Sequence, residues 1–195
     1  MNFLAHIYLS GNNEDLIFGN FIADAVKGKA VENYRMSIQE GIRLHRDIDN
    51  FTDKHHIFKK SRQRLMDKYH KFSGVIVDMY YDHFLAANWQ EYSTENLDIF
   101  VDNAYKILKR NFFLLPSRYK MILPFMISSN WLVNYAQFNR LQNNFERMAK
   151  RTTFESGMEN AVFDLKKDYN QYNQEFREFF PEIIRFVNEK WDIKI

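Results

Sequence analysis

Apolar positions recur at three- and four-residue intervals through most of this chain, the spacing of amphipathic helices, and no turn-rich rhythm of short strands interrupts them. The periodicity predicts helices near Glu14–Lys27, Asn33–Arg46, His56–His70, Phe72–Trp89, Thr94–Asn111, Trp131–Lys150 and Met158–Phe180, with a short one after Pro181. Ser156 stands three residues before Glu159, the capping-box spacing of a helix start. The stretch PSRYKMILP, between Pro116 and Pro124, reads as a broken helical connector because proline removes a backbone donor. No repeat, low-complexity tract or flexible linker divides the chain. Residues 1–195 are therefore expected to form one compact all-α bundle.

Composition sharpens that expectation. At 195 residues and 46% hydrophobic the chain is long enough for one substantial core, and its 6 Gly and 3 Pro lie well below average usage, which favours helix. The 19 Phe are spread over the whole length, as wide interfaces between helices require. The absence of cysteine excludes disulfides, thiol catalysis and zinc–thiolate sites. The opening MNFLAHIYLSGNNED has no basic leader, and no run approaches the roughly 18 apolar residues of a membrane span. A soluble cytoplasmic protein with no membrane partner is expected.

Net charge is only +2, but Lys54 to Lys71 holds seven Lys/Arg against the single acid Asp67. This stripe, with Lys59, Lys60, Arg62 and Arg64 at its centre, is either a solvated helix face or a docking surface for an acidic partner. It lacks the interleaved aromatics and Gly-rich loop of a nucleic-acid module, so an acidic protein is favoured and no nucleic acid is expected.

The stretch GVIVDMYYDHFLAANW places Asp78, Asp82 and His83 in one of the most apolar runs of the chain. Asp78 and Asp82, four apart, share a helix face and repel, so burial requires a neutralising partner. A divalent cation would serve, and so would arginines from a neighbouring helix. His6, Asp24, and His45 with Asp49 also sit among apolar residues, the last two again four apart. Singly, each has an ordinary structural role open to it: His6 on a carbonyl, Asp24 paired with Lys27, Asp49 paired with Arg46. Together they form a nitrogen and oxygen ligand set suited to manganese, iron or magnesium rather than structural zinc, and to phosphate-ester hydrolysis rather than redox work.

The ordered segments MNFLAHIYLS, GNFIADAVKG, GIRLHRDIDNFTD and SGVIVDMYYDHFLAANW, followed by a long helical remainder, resemble the bacterial acyl carrier protein phosphodiesterase family. That family is similar to the all-helical HD-domain phosphohydrolases. The resemblance implies that His6 is a metal ligand, that Asp24 is the aspartate of the His-Asp pair, and that Asp78 is the terminal aspartate ligand. Ala23 occupies the position of the paired histidine, so His45, Asp49, Asp82 or His83 is expected to complete the ligand shell, with His45 and Asp82 preferred. His83 would instead reach the substrate or orient a carboxylate.

The activity implied is release of the 4′-phosphopantetheine arm from holo acyl carrier protein, dependent on Mn2+, with Mg2+ or Fe2+ as alternatives. Asp24, His45, Asp78, Asp82 and His83 would form the catalytic set. Lys27, Arg43 and Arg46 would hold the phosphodiester, while the stripe at Lys59, Lys60, Arg62 and Arg64 would dock the acidic carrier. Two other functions fit the same residues: an HD-like phosphohydrolase acting on a free nucleotide, and a helical binding module whose acids and histidines are structural pairs.

Overall fold

The computed structural model describes residues 1–195. Ten α-helices follow one another without a strand: α1 Phe3–Tyr8, α2 Glu14–Ile22, α3 Met36–Lys54, α4 His56–Tyr69, α5 Ser73–Ala87, α6 Leu97–Arg110, α7 Ser117–Ser128, α8 Phe138–Ala149, α9 Ala161–Lys167 and α10 Tyr169–Trp191. Short 3-10 turns link several of them. No helix is long and apolar enough to cross a membrane.

The centre of the bundle is α5. Ile76, Val77, Met79, Tyr80, Tyr81, Phe84 and Leu85 are all essentially inaccessible, so this helix is buried around its circumference, as its unbroken apolar run requires. Its neighbours are amphipathic and turn one face inward. On α10 that face is Phe176, Phe179, Phe180, Ile183 and Val187, and aromatic rings join it to α5, with Tyr81 5.5 Å from Phe176 and 5.3 Å from Phe179.

Several predicted boundaries move for identifiable reasons. The third helix runs to Lys54 rather than Arg46, because Ile48 and Thr52 extend its buried face, and this carries Asp49 onto the same stripe as His45. The second α-helix stops at Ile22 and passes into a 3-10 turn at Ala23–Ala25. The chain from Pro116 is not a broken connector: α7 runs through Pro124, and α10 likewise runs through Pro181. In α10 the buried faces on both sides of the proline offset a penalty of about 3 kcal/mol. The capping box does not close. Ser156 Oγ accepts from Met158 N at 3.4 Å, but a 3-10 turn at Met158–Asn160 comes before α9.

The closest helix crossing is that of α2 and α3. Gly19 and Gly41 meet there so tightly that a Cβ on Gly19 would lie 2.1 Å from the Ile38 carbonyl oxygen, and one on Gly41 would lie 2.6 Å from that of Leu16. Both obstacles are backbone, which cannot rotate aside. Gly19→Ala is therefore expected to destabilise the protein by at least about 2 kcal/mol despite alanine's better helix propensity. Urea unfolding followed by circular dichroism measures this, and a variant as stable as the parent would show that the crossing can open without cost.

Candidate metal centre

The α2–α3 crossing brings Asn20 and His45, one residue and one turn beyond the two glycines, into contact. Asn20 is fully buried among Leu16, Ile17, Phe18 and Phe21. Its Oδ1 lies 2.9 Å from His45 Nδ1, and its Nδ2 donates to the His6 carbonyl and to Ser10 Oγ, both at 2.9 Å. With Nδ2 committed as a donor, Oδ1 must accept, so His45 carries its proton on Nδ1 and turns Nε2 toward the carboxylates. One amide thus sets the orientation of His45 and ties down the turn that carries His6.

His6, on α1, stacks on His45 with ring centroids 4.0 Å apart and planes 17° apart. Asp49, one turn along α3 from His45, closes the group: its Oδ2 is 3.1 Å from His45 Nε2 and its Oδ1 is 3.2 Å from His6 Nε2. Asp24, in the 3-10 turn after α2, reaches His45 Nε2 at 3.3 Å from the solvent side, with its side chain 69% exposed. His6, His45 and Asp49 offer one donor atom each, all within 4.8 Å of one another. Both nitrogens of the buried His6 ring lack hydrogen-bond geometry to any protein group, Nε2 despite its closeness to Asp49. An orphaned imidazole beside a second imidazole and a carboxylate is the donor set of a divalent first-row ion.

The electrostatics describe the centre without an ion. Burial, with the neighbouring His45 charge, pushes His6 down to about 4, so its ring is neutral at pH 7. Burial also works against charge on His45, but bonds to Asp24 and Asp49 outweigh it and raise the residue to about 9. Asp49 would be raised by burial, yet the two histidines hold it well below the usual carboxylate range, and the His45 bond holds Asp24 down as well. The imidazolium of His45 supplies the positive charge that the two carboxylates require.

The other predicted residues surround this group at different distances: the Met1 ammonium, 2.7 Å from Asp78 Oδ1 and 4.0 Å from Asp49 Oδ1, joins Asp78 to its edge. Asp78 and Asp82 do share a face of α5, but that face meets the start of α1. Asp78 accepts from the Met1 ammonium at 2.7 Å, and the fully buried Asp82 accepts from the backbone N–H groups of Asn2, Leu4 and Ala5 at 3.1, 2.8 and 3.4 Å. Their repulsion is offset by an ammonium and by three helix-terminal donors rather than by arginines, and that ammonium is shared between Asp78 and Asp49. Burial pushes Asp82 up to about 7 against the pull of those donors. His83 points to the opposite side, with Nδ1 on the Tyr135 carbonyl at 2.8 Å and Nε2 near the Tyr169 hydroxyl at 3.2 Å.

Among the basic residues, Arg46 reaches over the 3-10 turn to the Val26 carbonyl at 3.4 Å, on the Asp24 side of the centre. Lys27 and Arg43 are exposed. The α4 stripe is partly spent inside the fold: Arg64 grips the buried Glu175 with two bonds of 3.0 and 2.6 Å, and Lys60 adds a third contact at 3.4 Å. Lys59 stays exposed and Arg62 is half-buried. Asn20 was missed in the sequence, although a lone amide inside an apolar helical run was its visible signal.

The family described as acyl carrier protein phosphodiesterase matches residues 1–183 of this chain. The chain belongs to the acyl carrier protein phosphodiesterase family. Relatives bearing that name include one from Photorhabdus laumondii, 28% identical over 97% of this chain and 96% of its own, and one from Pectobacterium atrosepticum, 29% identical over 96% and 97%. A third, from Serratia proteamaculans, is 27% identical over 97% and 99%. No solved structure matches.

Two outcomes are expected from this geometry. His45, raised from 6.5 to about 9, contributes stability that is complete below pH 6.5 and lost as pH rises through 9, whereas His6, lowered to about 4, loses stability for the fold as pH falls below 6.5. Asp82, raised from 3.8 to about 7, acts against His6 below pH 7, so the signature lies on the alkaline side: the metal-free protein should lose stability between pH 7 and 9, and urea unfolding that returned a flat profile there would refute the arrangement. Asn20→Leu should weaken divalent-ion binding by about 10- to 100-fold, as loss of a ligand's orienting partner does. Titration calorimetry with manganese reads that change directly.

Proposed function

We propose that this chain hydrolyses the phosphodiester joining 4′-phosphopantetheine to a serine of holo acyl carrier protein, releasing the apo carrier and the free arm. The observation that carries the reading is the His6, His45 and Asp49 group with Asp24 at its open edge, in a chain whose family and relatives bear the name of that reaction. The N/O donor set suits manganese, with magnesium or ferrous iron as alternatives. When bound, such an ion supplies Lewis acidity and makes a coordinated water acidic near neutral pH.

The chain's own groups divide the remaining work. His6, His45 and Asp49 would hold the ion, with His45 first giving up the proton that Asp24 and Asp49 stabilise. Asp24, released from His45 and open to solvent, is placed to take a proton from the attacking water. Arg46 and Lys27, on the same side, would pair with the phosphodiester oxygens. Asp78 and Asp82 serve by fixing α1, and thus His6, against α5.

Incubating the purified protein with holo carrier and manganese should remove the arm, seen by mass spectrometry as conversion of the carrier to its apo form. Asp49→Asn should slow that conversion by at least about 100-fold, the scale of losing a charged group from a catalytic centre, while leaving the helical circular dichroism intact. An unmodified carrier after long incubation with the parent and manganese would reject the reading. Normal turnover by Asp49→Asn would instead remove Asp49 from the centre.

A further inference from the structure

A second basic region lies far from α4 in sequence and differs from it in kind. From Ser117 to Arg151 the chain holds Arg118, Lys120, Arg140, Arg147, Lys150 and Arg151 against the single acid Glu146. None of these six cations is ion-paired, whereas Lys60, Arg64 and Lys68 of the α4 stripe are held by Glu175 and Asp164. The second region also exposes large apolar side chains. Met121 is 67% and Phe125 69% accessible on α7. Between α7 and α8 opens a groove of about 360 Å³, floored by Ile122, Phe125, Trp131 and Met148 and rimmed by Arg147 and Arg151.

Its position matters as much as its charge. Tyr119 of α7 and Trp131 both pack edge-on against Phe3, at 6.1 and 6.4 Å, three residues before His6. Tyr119 also packs against Phe21 at 4.9 Å with the rings tilted by 47°, close to the turn that carries Asp24. Trp131 thus ties the floor of the groove to α1, the helix that carries His6. A phosphodiester attached directly to a serine of the carrier leaves no spacer between the carrier's surface and the reacting atoms, so the docking face must border the centre.

We infer that the α7–α8 groove, with its arginine rim, is the surface on which the acyl carrier protein docks, an amphipathic acidic helix of the carrier lying against the apolar floor with its carboxylates on Arg147 and Arg151. This assignment rests on the proposed function and says where its protein substrate sits. Apolar anchors at the centre of an interface and opposite charges at its rim are the usual division of labour, the charges acting mainly on encounter. The α4 stripe, with its central arginine already bound to Glu175, keeps fewer free charges, and the rings at its end, Phe72 and Phe154, lie under Lys71 at 5.2 and 4.7 Å.

The test compares Arg147→Glu/Arg151→Glu with Lys59→Glu/Arg62→Glu on α4. Binding of the arm-free carrier, measured by fluorescence anisotropy at low and high salt, reports the protein surface apart from chemistry, and KM and kcat for holo carrier follow. The groove variant should raise Kd and KM at least about tenfold and flatten the salt dependence, with kcat and melting temperature little changed, while the α4 variant changes Kd less than about threefold. Should charge reversal prevent folding, Arg147→Gln, Arg151→Gln and Phe125→Ser are each expected to move Kd in the same direction.

An unchanged Kd in the groove variants, or a loss confined to the α4 variant, overturns the assignment. So does binding of the parent to phosphatidylglycerol vesicles that the groove variants abolish while their carrier binding stays normal, because the patch then belongs to a membrane surface. A parent that neither binds nor cleaves the carrier overturns the proposed function, and this surface with it.

Discussion

The meeting of Gly19 and Gly41 decides how near α2 can come to α3, and the candidate centre depends on that approach. Residues immediately beyond the glycines supply Asn20 and His45, whose 2.9 Å contact leaves no room for a wider crossing. Close backbone approach costs the side-chain burial that larger residues would add there. What it returns is a rigid platform on which one amide orients an imidazole, and the imidazole in turn meets Asp24 and Asp49.

Charge is handled by two different devices within a short distance. In the centre, acids and imidazoles are mutually matched, with His45 protonated between Asp24 and Asp49 and His6 kept neutral. Under α1, by contrast, Asp82 relies on backbone N–H groups, the orphan donors that any helix start leaves unsatisfied. A helix of only six residues has too few internal hydrogen bonds to persist alone. The carboxylate therefore does for α1 what a capping side chain does for a longer helix, from a distant part of the chain.

The helical class, the single domain and most helix positions were legible because amphipathic spacing reports directly on burial. The i, i+4 relations of Asp78 with Asp82 and of His45 with Asp49 were legible too, and both pairs do share faces. What the spacing left open was the partner of each face. Asp78 and Asp82 meet α1, and only the short α1 helix, invisible to periodicity, tells which cations they find. Likewise Arg64 reads as a surface charge in α4 until Glu175, more than a hundred residues away, is brought beneath it. Proline positions misled where buried apolar faces outweighed the loss of one backbone hydrogen bond, as in α10.

The bonds from Asn2, Leu4 and Ala5 to Asp82 span 77 to 80 residues. Asn20 and His45 are only 25 residues apart, so the α2–α3 contact closes a much shorter loop than the seating of α1 on α5. His45 and Asp49 share one helix, whereas His6 reaches them only when α1 is seated on Asp82. The full donor set of the candidate centre is therefore assembled only when the central helix is in place, and local order at the three donors is tied to closure of the whole core.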